Sequence, residues 1–295
     1  MELRDRVAIV TGAGGGLGKA HAELLASLGA KVLVNDMNEE AAEMVAAALR
    51  STGAEALAFA ASVTDEERIG EMVAHVLAAW GRVDILVNNA GILRDRTFAK
   101  MSLAEFREVL DVHLMGSVVC TKAVWEIMRE QRYGRVVMTT SSSGLFGNFG
   151  QANYGAAKMA LVGLMQTLAL EGEKHCIHVN CLAPTAATAM TVGLLSQETL
   201  DRLAPELVSS GLLALVAEDA PTRAILCAGA GHFSLANITL TDGAFVGGGS
   251  GAAERVRVNW ERIADRTGDI VPGYGFVQSE REIASATANR PDQAA

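Results

Sequence analysis

The chain has 295 residues, half of them hydrophobic, 20% charged, with a net charge of −9. That length can bury a sizeable core, and the composition is that of a globular rather than a disordered chain. An acidic chain without a basic run argues against nucleic-acid binding, no apolar stretch approaches the ~20 residues of a membrane span, and the charged start MELRDRVAIVTG lacks the apolar core of a signal peptide, so a cytoplasmic protein is expected.

Val7 to Val10 is a short apolar run suited to a buried parallel strand. It leads into the glycine turn 11–18, TGAGGGLG, and a helical pattern that Gly29 ends. Strand, glycine turn and helix is the context in which backbone N–H groups and a helix N-terminus bind a diphosphate. Residues 31–35 form a second strand closed by Asp36, eighteen residues after Gly18. A carboxylate at that distance suits the ribose hydroxyls of NAD and repels the 2′-phosphate of NADP. Asn38 offers an alternative cap for the next helix, residues 38–52, which leaves Asp36 for the ribose. A weak strand at 56–60, a helix from 64 to 81 and a strand at 83–87 follow, then Asn88-Asn89-Ala90-Gly91. Strands alternating with helices through short turns indicate a single α/β domain, a Rossmann-like doubly wound parallel sheet of about seven strands.

A long helical pattern covers 103–131, softened at Gly116. A fifth strand ends at Ser141, a helix covers 153–173, and a sixth strand at 177–182 is stopped by Pro184. Residues 186–217 mix leucines with small residues. Following the sixth strand, they are expected to overhang the carboxyl ends of the sheet as an apolar lid, which implies an apolar substrate. Residues 219–230 read as a helix and 237–241 as a seventh strand. The domain thus spans 1–250, and 251–295 is an extension with an amphipathic stretch at 254–265, a loop-like course past Gly268 and a frayed end. The four cysteines show no CxxC spacing and read as reduced thiols, and no histidine spacing suggests a metal site.

Tyr154 and Lys158 stand four apart, so a helix projects both from one face. A free phenol titrates at ~10, and an adjacent ammonium is expected to lower that value and make Tyr154 a proton donor and acceptor. Ser141, at a strand end, can share one substrate oxygen with the phenol.

The motifs TGAGGGLG at 11–18, NNAG at 88–91, Ser141, Tyr154-Gly-Ala-Ala-Lys158 and Val179-Asn180 with Pro184 resemble the short-chain dehydrogenase/reductase family over residues 6–245. NNAGILRDR from Asn88, Val112-His113-Leu114, Tyr133-Gly134-Arg135, GNFGQANY from Gly147 and Val258 to Ile263 resemble a narrower group. It is the (3R)-hydroxyacyl-CoA dehydrogenase part of peroxisomal multifunctional β-oxidation enzymes, the 17β-hydroxysteroid dehydrogenase type 4-like branch. The resemblance implies that Tyr154 is the acid/base, that Lys158 lowers its pKa and bonds the nicotinamide ribose, and that Ser141 holds the substrate oxygen. It places His113 where most members carry asparagine, in a proton relay behind Lys158 through water or its backbone carbonyl. It implies that Gly12, Gly16 and Leu17 meet the diphosphate, Asp36 the adenosine ribose, and Ser62 and Val63 the adenine. Asn89 and Gly91 would line the cleft, with Pro184, Ala186 and Thr188 beside the nicotinamide; Thr185 stands where the family has glycine. The implied activity is NAD-dependent interconversion of a secondary alcohol and a ketone on an apolar, CoA-linked substrate, in a homodimer or homotetramer pairing helices 103–131 and 153–173. A hydroxysteroid or other bulky alcohol is the alternative. A 3-oxoacyl-carrier-protein reductase is disfavoured by Asp36. A non-catalytic nucleotide-binding scaffold is disfavoured by the presence of all three catalytic side chains.

Overall fold

The computed structural model describes residues 2–187 and 196–289. They fall into two compact units, Met1–Ala236 and Asn237–Ala295. The boundary lies before the glycine-rich stretch 243–251 and not after it.

The first unit is built on one eight-stranded sheet in the order β3-β2-β1-β4-β5-β6-β7-β8. The strands are β1 Val7–Thr11, β2 Lys31–Asp36, β3 Ala56–Ala60, β4 Ile85–Asn88, β5 Gly134–Thr139, β6 Ile177–Thr185, β7 Ile225–Gly229 and β8 His232–Ala236. All neighbours pair in parallel except β7 and β8, an antiparallel hairpin at the edge. Order reverses between β1 and β4, where an open parallel sheet leaves a crevice at its carboxyl end. Both faces are covered, so the central strands are apolar throughout. Ala8 and Val10 pack with α1 (Gly16–Ser27), α2 (Glu39–Ser51) and, later in the chain, the Pro205–Val216 helix. Val7 and Ile9 pack on the other side with α3 (Glu66–Trp80) and with the helices of residues 116–131 and 152–172.

Local signals explain most boundaries. Asn38 accepts from Ala41 N–H and Asp65 from Arg68 N–H, starting α2 and α3 as N-caps, and Gly81 ends α3 in the left-handed region. The 103–131 pattern divides into α4 (Leu103–Leu110), opened by a Ser102–Glu105 capping box, a π-turn at Asp111–Met115, and α5 (Gly116–Gln131). The short α6 (Ser142–Phe146) and the long α7 (Ala152–Gly172) follow β5.

Three expectations fail here. Residues 219–230 do not form a helix: Ile225–Gly229 is β7, fixed by pairing Cys181–Thr185 of β6 with Ile225–Gly229. Residues 237–241 do not form a sheet strand, because β8 already occupies the edge; Leu240 makes only an isolated bridge to Ile270. The second half of the expected lid is core. After α8 (Gln197–Asp201), α9 (Pro205–Val216) buries Val208, Leu212, Leu215 and Val216 against the α1 face of the sheet. The expected lid residues 188–195, Met190 and Leu194 included, lie outside the described residues.

The second unit carries α10 (Ala252–Val258), α11 (Trp260–Ile263) and α12 (Val277–Ala288), none of which buries a residue. α12 occupies a stretch expected to be loop. Arg255 organises this unit, donating to the carbonyls of Val246 at 2.6 Å, Gly248 at 2.7 Å and Ser250 at 3.3 Å. Among the described residues no helix is long and apolar enough to cross a membrane.

Candidate active site

A cavity of about 530 Å³ opens at the carboxyl end of the sheet. Gly12, Gly16, Leu17, Asp36, Asn89, Gly91, His113, Ser141, Tyr154, Lys158, Pro184 and Ala186 all line it, so most of the expected site converges. Thr188 lies outside the described residues. Ser62 and Val63 stand apart from the lining. The Val63 side chain is buried in the core beside Gly116, and Ser62 bonds Thr64 at 2.8 Å. Leu93, Asn148 and Gln151 line the cavity without having been singled out, although Asn148 and Gln151 belong to the GNFGQANY phrase.

The glycine turn is held by close backbone contact. Gly12 has φ +61°, and a Cβ there would sit 2.7 Å from Ala90 Cα. A Cβ on Gly18 would lie 2.3 Å from the Gly12 carbonyl oxygen. Asn89 Nδ2 donates to the carbonyls of Thr11 and Gly12 at 3.0 and 3.1 Å, so it braces the turn as well as lining the cleft. The α1 N-terminus has no side-chain cap, which leaves its first N–H groups facing the cavity with the positive end of the helix dipole. Asp36 accepts from Gly14 N–H at 3.0 Å and from Asn38 N–H at 3.0 Å. Each of its oxygens keeps a lone pair, so the carboxylate can still receive a ribose hydroxyl. These residues fit a dinucleotide: an uncapped helix start for the diphosphate and an acid for the adenosine ribose.

Ser141 N-caps α6, accepting from Ser143 N–H at 3.2 Å, and its hydroxyl acts to lower the Tyr154 pKa. Lys158 is buried, 3% exposed, and its Nζ donates to Thr139 O at 2.6 Å. The same nitrogen lies 5.4 Å from the Tyr154 ring centroid, so both side chains do share one side of α7. The expected acidification of the phenol is reversed. Burial pushes the Tyr154 pKa above its ordinary value, the Ser141 hydroxyl works against that rise, and the Asp95 carboxylate adds to it. Burial also brings Lys158 down to about 7, against a small opposing effect of Cys181. Desolvation disfavours the charged form of each group.

His113 sits in the π-turn and meets the Tyr154 ring edge-on, with centroids 5.2 Å apart and an interplanar angle of 86°. Its Nε2 lies 2.8 Å from Ile92 O, and Ile92 N–H donates to the same nitrogen at 3.1 Å. Nδ1 is buried without a partner, and the backbone carbonyl accepts from Ser117 Oγ at 2.7 Å. Burial and the Lys158 charge lower the imidazole pKa to about 3, so the ring is neutral at pH 7 and holds the 91–93 wall. Gly91 is required opposite it, since a Cβ there would lie 2.3 Å from the imidazole Cε1. Thr185 adopts extended backbone as the last residue of β6, and Gly229 of β7 supplies the space opposite its side chain. Among the described residues no cluster of His, Cys, Asp or Glu could hold a metal.

Residues 6–199 match the family model described as short chain dehydrogenase. A Mycobacterium tuberculosis protein named as a short-chain type dehydrogenase/reductase is 44% identical over 92% of this chain and 98% of its own length. The structure of full-length peroxisomal multifunctional enzyme type 2 from Drosophila melanogaster superposes with a TM-score of 0.84 and 33% identity over 99% of this chain and 51% of that one. A 7α-hydroxysteroid dehydrogenase complexed with NADH and 7-oxo glycochenodeoxycholic acid gives a TM-score of 0.73 and 28% identity over 78% of this chain and 95% of its own. Against the peroxisomal multifunctional and hydratase-dehydrogenase-epimerase relatives, the chain spans only 24–61% of their length. With the glycine turn, the serine, the tyrosine and the lysine gathered in one cavity, these matches show that the chain belongs to the short chain dehydrogenase family, oxidoreductases acting on CH–OH groups.

Proposed function

We propose that the chain interconverts a (3R)-hydroxyacyl-CoA and its 3-oxoacyl-CoA with NAD as cofactor. The observation that carries this reading is the convergence of Ser141, Tyr154, Lys158, Asp36 and the glycine turn on a single cavity. Bound there, the nicotinamide ring supplies the hydride acceptor. The protein does the rest. Ser141 donates to the substrate oxygen, Tyr154 takes or returns the proton on that oxygen, and Lys158, on the same side of α7, is placed to bond the nicotinamide ribose. His113 is a positioning residue that fixes the 91–93 wall. Asp36, with Glu39 and Glu40 following it and no basic side chain between, favours NAD over NADP.

An acyl chain suits the mouth of the cleft. Phe146 and Phe149 flank the lining residues Asn148 and Gln151 and are 73% and 89% exposed. The relatives named hydratase-dehydrogenase-epimerase support a dehydrogenase reading, and the NADH complex supports the cofactor. The bile-acid ligand of that same neighbour favours a hydroxysteroid as the second reading. Assembly as a homodimer or homotetramer through the helices of residues 103–131 and 153–173 belongs to the same proposal. Initial rates with NAD+ and NADP+ on a (3R)-hydroxyacyl-CoA and a hydroxysteroid test it. NAD+-dependent oxidation of the acyl-CoA is expected; turnover of the steroid alone overturns the substrate assignment.

A further inference from the structure

The segment expected beside the adenine is held by a buried amide that the proton chemistry does not use. Asn35 precedes Asp36 at the end of β2 and is 1% exposed. In the sheet it stands between Thr11 of β1 and Phe59 of β3. Its backbone carbonyl accepts from Ala13 N–H of the glycine turn at 2.8 Å. Its side chain serves the other neighbour, with Nδ2 donating to the carbonyls of Phe59 and Ala61, both at 3.1 Å. Both acceptors are carbonyls, so the amide has one orientation, and Oδ1 is buried without a partner. Backbone pairing already joins Val32–Asp36 to Ala56–Ala60. The amide reaches one residue past that ladder, to Ala61, where the chain leaves the sheet for Ser62 and Val63. Among the described residues no other group donates to the Ala61 carbonyl.

We propose that Asn35 is a positioning residue for the adenosine half of the cofactor, gripping the Ala61 carbonyl so that residues 61–63 keep their place beside Asp36 as one wall of an adenine subsite. The proposal rests on the NAD reading of the cavity and deepens it. An apolar residue at this place in β2 would avoid the buried Oδ1 and keep the ladder, so the amide serves the segment beyond the sheet and not the sheet itself. A buried carbonyl that loses its donor moves to reach water. Loss of the amide therefore displaces residues 61–63. Asp36 keeps its own bonds to Gly14 and Asn38, and the glycine turn keeps Ala13 N–H on the Asn35 backbone carbonyl. The effect falls on the adenine and spares the diphosphate and the nicotinamide.

The test is fluorescence titration with NADH and with reduced nicotinamide mononucleotide, which lacks the adenosine, and competition of NADH by AMP. The wild type, Asn35→Leu and Asn35→Ser are compared, with thermal melts to establish that each variant is folded. Leucine keeps the volume and donates nothing; serine leaves room for a water that bridges to the Ala61 carbonyl. In Asn35→Leu the Kd values of NADH and AMP are expected to rise together by about tenfold, and that of the mononucleotide by less than about twofold. Asn35→Ser gives the same pattern with a loss of about threefold, and carries the comparison should the leucine variant not fold. A residue that merely stiffened the sheet would weaken both nucleotides alike. Equal losses for NADH and the mononucleotide, or unchanged NADH binding in a folded variant, overturn the role of Asn35 and leave the NAD reading standing. Absence of NADH binding by the wild type overturns that reading, and the proposal with it.

Discussion

At Tyr154 two effects oppose each other. Ser141 stabilises the phenolate, while burial and the Asp95 charge destabilise it, and the destabilising pair prevails. Alcohol oxidation needs the phenolate as base, and a raised pKa makes that form scarce at neutral pH but more abundant with each pH unit. Ketone reduction needs the protonated phenol, which is already fully present. Lys158, at about 7, loses its charge over the same range. The expected outcome is that kcat/KM for oxidation rises between about pH 7 and about pH 9 while that for reduction does not. Initial rates in both directions check this, and an oxidation optimum at or below about pH 7 contradicts it. Spacing put Tyr154 and Lys158 on one helix face and Ser141 at a strand end, and the glycine turn and family motifs elsewhere in the chain singled them out. The direction of the phenol shift was not legible, since desolvation depends on which distant segments close over the site. The bond from His113 to Ile92, and hence the need for glycine at 91, was hidden for the same reason.

At the scale of elements, the first six strands and their helices could be read because each carries its own start and stop: an apolar run, a glycine turn, an Asn, Asp or Ser cap. β7 could not. Ile225-Leu226-Cys227-Ala228 is a short apolar run equally consistent with helix, and only its partner β6 decides between them. Residues 205–216 misled in another way. Their apolar surface suits a lid or a core helix, and contact with α1 makes them core. Leu212 is fully buried there, so Leu212→Ala is expected to destabilise the fold by about 2–5 kcal/mol in a denaturant titration, with KM little changed. A change in KM with stability intact contradicts the core assignment and returns this helix to the lid.

For the whole molecule, the doubly wound sheet was legible because a strand–turn–helix repeat with short connections admits few topologies. The course of the second unit was not, since its helices bury nothing and carry no pattern strong enough to place them. The account as a whole depends on one phenol transferring one proton beside a bound dinucleotide. The most direct measurement is NADH formation from NAD+ and a (3R)-hydroxyacyl-CoA by the wild type and by Tyr154→Phe, with NAD+ affinity measured on both. The account predicts turnover by the wild type, a loss of about a thousandfold or more in the variant, and NAD+ binding within about threefold of wild type. Turnover by Tyr154→Phe within about tenfold of wild type would contradict it.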